Sequence, residues 1–471
     1  MVPFARRLTM PGAGKYAGMD STQTVLVSMS ILIYKAVVCV MLAYNIMKVL
    51  FFCFHFFLLC VCEAKKKSVQ KNCIVGGGVS GIYTARMLLD RGHTDVVIFE
   101  ATNETGGKAK TFWHEDVPHS MGACYTAPTY ERVLAMAERY FVKNVLVGGR
   151  SMPNRDPLGW AIRNGYALSR PEAGNALSIA MQKWENLTGK LAWKFPLSRP
   201  KNMLEINMTL GQYFDLHSMG IMRALSEYSL TQPGYEAADD LPLFYALQWL
   251  SPSYFRLAIQ TFGFLDYGSL FERMSRGMKF VYNTKILSLT DKALRGCGRV
   301  FMATPTVVGS LGGVRFPVHT RRLTMDVSEE RRKSSAFIEY NTVTGVGGSL
   351  AADQATFFGS RNDQIGWSPY LRPTSELSAV SRGYLSPISL SEKDMDLYIT
   401  TTHTNSSIAR LHSPYFPRFS LSETVSGHPW KIWDMQGRNN VFYVGAHAAG
   451  FESIENIFKY VDTLFSRFNF L

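Results

Sequence analysis

The chain begins as an apolar block and then changes character. Residues 24–62 are almost continuously apolar, interrupted by Lys35, Asn45 and Lys48. The stretch 36–62 is long enough to cross ~30 Å of hydrocarbon as one span. A second reading starts at Met47. There Met47-Lys48 is a short basic region, Val49–Cys62 an apolar core, and Cys62-Glu63-Ala64 a cleavage site with small residues at −3 and −1. Under that reading residues 1–46 are a gene-model extension. The signal peptide is preferred, because Lys48 would otherwise sit mid-membrane at a cost of ~3 kcal/mol. Either way the body begins near Lys65. From there the pattern is one of short strands and amphipathic helices. Cys73–Val75 reads as a buried strand, and Ile82–Arg91 carries helical spacing with Ala85, Leu88 and Leu89 on one side. Val96–Phe99 reads as the next strand and runs into Glu100.

Composition narrows the class without naming it. At 471 residues the chain holds about three domains, or one large two-domain enzyme. A content of 46% hydrophobic and 18% charged residues is that of a folded globular protein and excludes a disordered chain. No repeated block suggests a solenoid or propeller. The net charge is +13, of which residues 1–64 contribute five basic and two acidic side chains. A basic surface favours anionic partners such as fatty carboxylates or acidic membranes. No nucleic-acid motif accompanies it. Of seven cysteines, only Cys73, Cys124 and Cys297 lie beyond the apolar leader. At most one bridge is available to them, and its pairing is not readable. No CxxC pair, HExxH or histidine cluster suggests a metal, and no G-x-S-x-G marks a serine hydrolase. The sequons at Asn186, Asn207 and Asn405 fit a lumenal route, whereas that at Asn103 falls inside the motif described next.

That motif is Gly76-x-Gly78-Val79-Ser80-Gly81, placed between the first strand and its helix. Gly76 permits the tight turn, Gly78 lets backbone approach a pyrophosphate, and Gly81 lets the helix pack on the strand. The helix N-terminus offers free N–H groups and a positive dipole end to phosphates. Glu100 accepts hydrogen bonds from ribose hydroxyls and disfavours a 2′-phosphate. The order of strand, glycine turn, helix, strand and acid is far more specific than the glycines alone.

Beyond Glu100 come Gly106-Gly107-Lys108 and Thr111. This resembles the extended dinucleotide motif of the GG-doublet flavoproteins, the superfamily of flavin amine oxidases and phytoene desaturases. Lys108 stands where Arg is usual, keeping the charge and losing the fork. Glu104 stands where a basic residue is common. Met278–Leu289 resembles the strand whose backbone, at Ile286, pairs with adenine. Arg299–Pro305 resembles the strand that returns to it. Asn440–Glu455 resembles the third flavin motif, with Gly445 at the strand end, Ala446 where Asp is usual, and Glu452 and Ser453 in the first turn of a helix. Capping and the helix dipole explain those last residues without a catalytic role. Met121-Gly122 is expected to pass over the flavin. Buried packing accounts for Cys124.

The resemblance implies FAD, held non-covalently: no cysteine follows Cys297, so the C-terminal flavin linkage of some amine oxidases is absent. It implies an α/β fold, a discontinuous Rossmann-type FAD domain with an inserted α+β substrate domain carrying a mixed sheet. The expected boundaries are 1–64 (signal peptide or membrane anchor), 65–125, 276–312 and 430–471 (FAD domain), and 126–275 and 313–429 (substrate domain). No second GxGxxG unit supports an NAD(P)H site. Val117–Tyr130, Thr261–Ser269, Met435–Gly445 and the tail Ser466–Leu471 resemble the polyenoic fatty acid isomerase branch. Such enzymes move double bonds by taking a hydride onto flavin N5 and returning it elsewhere. That chemistry needs an apolar tunnel, a cationic carboxylate anchor and aromatic faces. Arg150 and Arg155 are the anchor candidates; Phe262, Phe264 and Tyr267 are tunnel candidates, with core packing as the plainer account. His447 is either a pocket wall or a core histidine. The leading reading is therefore a secreted, lumenal or membrane-anchored FAD enzyme isomerising an anionic polyunsaturated lipid. A flavin amine oxidase follows, although Ser334–Ser360 holds no lysine for a water at N5 and Lys333 lies in a charge run. A non-catalytic FAD- or lipid-binding protein is third.

Overall fold

The computed structural model describes residues 21–62, 70–114, 117–123, 125–148, 157–190, 195–226, 235–250, 261–304, 315–331, 338–343, 355–361, 377–402 and 407–470. Two compact units emerge, Met1–Ser68 and Val69–Leu471. In the first, the helix α1 (Ser21–Cys62) runs without a break through Met47. Its Met29–Phe51 window has a mean hydropathy of 1.8, long and apolar enough to cross a membrane.

The second unit is built around a parallel sheet. β1 (Asn72–Val75) is central, with β2 (Val96–Phe99) and β8 (Lys279–Val281) on one side and β9 (Arg299–Met302) and β15 (Val441–Tyr443) on the other. Every pairing in it is parallel. β1 and β2 are buried at all positions, so they read as unbroken apolar runs, as strands covered on both faces do. The sheet draws on three distant stretches of chain. Helix α2 (Val79–Asp90) packs against it, as does the helix Ile454–Phe468, whose apolar stripe includes Ile457, Phe458, Val461, Leu464 and Phe465. The Tyr83 ring stacks on Phe458 at 3.8 Å, joining the two helices.

The expected long strand over Met278–Leu289 is shorter. β8 ends at Val281, because the amides of Asn283 and Thr284 donate to Thr102 and Glu100 carbonyls, and Asn283 takes a φ of 52°. Ile286 is buried just beyond this bend. A disulfide joins Cys73 to Cys297 across a sequence separation of 224. It thus links β1 to the turn before β9. Closing so long a loop removes unfolded-state entropy worth about 5 kcal/mol in the chain-entropy account.

A second sheet has the order β11-β12-β13-β10-β14, with β10 Val318–Arg331, β11 Ile338–Val343, β12 Ala355–Arg361, β13 Leu377–Pro387 and β14 Ser407–Arg418. The expectation of a mixed sheet is corrected here: every described pairing is antiparallel. Its two faces differ. One carries Thr324, Asp326, Arg410 and His412 beneath the helix Glu392–Thr402, with Asp396 accepting from Arg410 at 2.9 Å. The other carries Leu323, Met325, Val327, Leu411 and Ala409, packed with Phe112 and Met121. Phe112 comes from the hairpin of β3 (Thr111–His114) and β4 (Val117–Ser120). A small third sheet pairs β5 (Tyr125–Thr126) and β6 (Asn144–Gly148) with β7 (Thr261–Leu265).

Candidate functional site

The glycine turn is fixed by contacts no side chain would allow. Gly76 adopts a φ of +105° and its amide donates to Phe99 O at 2.8 Å. At Gly81 a Cβ would fall 1.9 Å from Gly76 O, so the first turn of α2 can sit on the strand only as glycine. Val79 and Ser80 occupy that first turn, and among the described residues no side chain caps the helix at Gly78. Its leading N–H groups therefore remain available to an anion.

Glu100 closes the opposite side of the turn. Its Oε2 accepts from Gly77 N at 2.7 Å, and its Oε1 accepts from Thr102 N and Thr102 Oγ1 at 2.9 Å. The carboxylate is thereby held across the glycine loop at the end of β2. Gly106 N donates to Gly77 O at 2.9 Å. A Cβ on Gly107 would lie 3.1 Å from the Gly78 Cα. The Gly-Gly pair and the glycine turn thus form one bare-backbone surface.

The chain then passes beneath itself. Met121 N donates to Lys110 O at 2.8 Å, and a Cβ on Gly122 would fall 1.9 Å from Lys108 O. The buried Met121 is turned toward the second sheet, among Met325 and Val327. Lys108 pairs with the buried Glu452, tying the Gly-Gly segment to the segment after β15. The Lys108 ammonium also lies 5.6 Å from the Tyr415 ring centre on β14. Glu104 is matched locally, accepting from Lys110 Nζ at 2.8 Å.

At the end of β15, Gly445 precedes the one-turn helix Ala446–Ala449. A Cβ on Gly445 would meet His447 Nδ1 at 2.6 Å, so the imidazole lies over this glycine. His447 is buried, with Phe316 at 5.9 Å and Tyr443 at 6.4 Å between ring centres. Burial, with His319 and Lys108 nearby, pushes its pKa down to about 3. Burial and Lys108 push that of His319, on β10, down to about 4. Both imidazoles are neutral at physiological pH. Among the described residues neither ring nitrogen of His447 has a hydrogen-bond partner. The pair Glu452 and Ser453 divides: Glu452 meets Lys108, while the Ser453 hydroxyl accepts from Asn456 N at 3.2 Å and caps the last helix. Glu455 reaches elsewhere, its carboxylate accepting from Arg132 N and Val133 N at 3.0 Å and capping α3 (Glu131–Arg139).

The remaining candidates separate. Tyr267 is fully buried in the main core, 6.2 Å from Phe271 between ring centres. The Phe262 and Phe264 backbones pair with Val147 and with Tyr125 and Val145, respectively; their side chains, and Arg150, Arg155, Cys124, Lys333 and Asn405, lie outside the described residues. Sequence reasoning missed His319, Phe112 and the Leu323-Met325-Val327 stripe. The period-two alternation of that stripe was the available signal.

The groups present suit a dinucleotide: an uncapped helix N-terminus, a glycine surface open to a pyrophosphate, and an acid at the ribose position. Among the described residues no cluster of His, Cys, Asp or Glu could hold a metal ion.

Comparison with known proteins agrees with this geometry. The NAD(P)-binding Rossmann-like domain family matches residues 74–140. The polyenoic fatty acid isomerase of Ptilota filicina is 24% identical over 472 residues, covering 84% of this chain and 94% of that protein. Flavin-containing amine oxidase B of Cavia porcellus is 37% identical over 136 residues, covering 26% of this chain and 25% of that one. Among solved structures, a CLA-producing fatty acid isomerase from P. acnes superposes with a TM-score of 0.62 at 17% identity, covering 85% of this chain and 98% of that one.

Proposed function

We propose that this chain, a member of the flavin amine oxidase superfamily, binds FAD non-covalently and isomerises the double bonds of a polyunsaturated fatty acid. The observation that carries the reading is one of extent. Similarity to a fatty acid isomerase runs through 84% of the chain. Similarity to the amine oxidase B above stays within 26% of it.

When bound, FAD supplies a ring that accepts a hydride at N5 and can return it to the same substrate. The protein's part is to hold and orient. The α2 N-terminus and the surface formed by Gly78 and Gly107 receive the pyrophosphate, and Glu100 the ribose. The Lys108–Glu452 pair braces the two cofactor segments against each other. Met121 covers Met325 and Val327 of the second sheet, and the partly exposed Leu323 and Leu411 beside them would offer an apolar wall to an acyl chain. Neutral His319 and His447 add no charge beside that wall. Arg150 and Arg155 remain the proposed carboxylate anchors. The apolar α1 serves as a cleaved leader or a retained anchor that delivers the body to the secretory route.

The test is to add linoleic or arachidonic acid to the purified protein and follow both diene absorbance and peroxide. Conjugated diene without peroxide supports isomerisation. Peroxide with an amine substrate, and no diene with the fatty acids, would replace it with amine oxidation.

A further inference from the structure

The disulfide sits at one end of the pairing between the central strand and β9. β1 and β9 share four paired positions, Asn72↔Arg299 through Val75↔Met302. At the upper end of this pair the Gly76 turn rests on Ala303 and Thr304, each within 3.6 Å of where a Gly76 Cβ would be. A slip of one residue would turn every side chain of β9 to the wrong face and move that turn. The lower end is stitched by Gly298 N donating to Lys71 O at 2.8 Å and Gln70 Nε2 donating to Gly298 O at 2.9 Å. Cys73–Cys297 closes the same end covalently. The two strands come from opposite sides of a long inserted stretch, so their meeting is entropically slow.

We propose that the Cys73–Cys297 bond is a prerequisite for cofactor loading, fixing the β1–β9 register on which the glycine turn depends. The chain must then mature in an oxidising compartment. Bond formation removes two protons and two electrons from the thiols. A dithiol–disulfide exchange catalyst of that compartment accepts both, its own disulfide becoming a dithiol. Two independent features agree: the apolar Met29–Phe51 window, and the exposed Asn207 of an Asn-x-Thr sequon. Cys73 is fully buried, so the finished bond is shielded from exchange.

This inference rests on the FAD reading and is tested with the unmodified full-length chain made in two compartments. One preparation comes from a secretory lumen and the other from a reducing cytosol. Each is alkylated, digested without reductant and mapped, and its flavin content is read from visible absorbance. The lumenal product is expected to show the 73–297 linked peptide and to carry at least tenfold more flavin per chain. Flavin-loaded protein with Cys73 and Cys297 alkylated overturns the proposal. A Cys73→Ala/Cys297→Ala double variant from the lumen is expected to lose flavin to the same degree; loading equal to wild type overturns it too. Absence of flavin from both wild-type preparations overturns the FAD reading and this proposal with it.

Discussion

The two sheets of this protein solve different problems, and their strands record it. The parallel sheet has strands of three or four residues, and β1 and β2 are buried throughout. Its chemistry lies in the turns at the strand ends, where the ligand meets backbone rather than side chain. The antiparallel sheet has strands as long as the fourteen residues of β10. There one face is committed to ion pairs beneath a helix, and the other to an apolar wall facing Met121. A cofactor site of the first kind is intolerant of a single methyl group. A substrate wall of the second kind can change shape while the fold stands.

The sharpest way to break that contrast is at the glycines. Gly81→Ala places a Cβ 1.9 Å from Gly76 O and should abolish flavin retention. Gly78→Val is subtler: its nearest neighbour is Gly107 Cα, 3.8 Å from the Cβ position, so the chain folds while the pyrophosphate path is filled. Flavin affinity by fluorescence titration should fall at least ~100-fold in both, and full yellow occupancy of the valine variant would refute the nucleotide assignment.

The next effect is on stability and belongs to the antiparallel sheet. Arg321 on β10 donates to Glu236 at 2.7 Å, and both are buried, with Arg418 3.3 Å from the same carboxylate. Arg321→Met leaves a poorly matched buried charge and should cost about 3 kcal/mol by thermal or urea unfolding. Removing both charges together should recover most of that loss. Glu100→Gln should weaken FAD by roughly tenfold, since a charge-assisted acceptor of Gly77 and Thr102 becomes a neutral one. Met325→Ala is expected to leave flavin binding unchanged while lowering kcat/KM for a polyunsaturated acid by roughly tenfold. A loss of flavin in that variant would deny the division of labour between the sheets.

A more graded effect is a pH slope. The folded His447 pKa of about 3 lies below its ordinary value of 6.5. The unfolded chain therefore binds the proton that the folded one refuses. The stability this group confers is full above pH 6.5 and is lost as the pH falls toward 3. The slope is at most about 1.4 kcal/mol per pH unit. Unfolding midpoints measured from pH 7 to 5 should fall, and less steeply in His447→Leu.

The parallel sheet was largely legible in the sequence because its requirements are local. Gly76, Gly78 and Gly81 are spelled out beside the strand they follow, and Glu100 ends the next one. The proposed substrate wall was hidden because Met325 meets Met121, from far along the chain, only when β10 lies in register between β13 and β14. The same reason concealed the Cys73–Cys297 pairing and the Lys108–Glu452 brace, both made across more than two hundred residues. Ser453 shows the reverse case: the helix cap that its local position suggested is the role its hydroxyl takes, accepting from Asn456 N.

The central claim is that a flavin on the parallel sheet serves a polyunsaturated chain on the antiparallel one. Its most direct test is the absorbance spectrum of the purified full-length protein before and after arachidonic or linoleic acid. The account predicts flavin bands at the start and growing conjugated-polyene absorbance near ~235–270 nm, with no hydrogen peroxide and the flavin oxidised again at the end. Flavin bands that bleach or stay unchanged with no new polyene absorbance would contradict it.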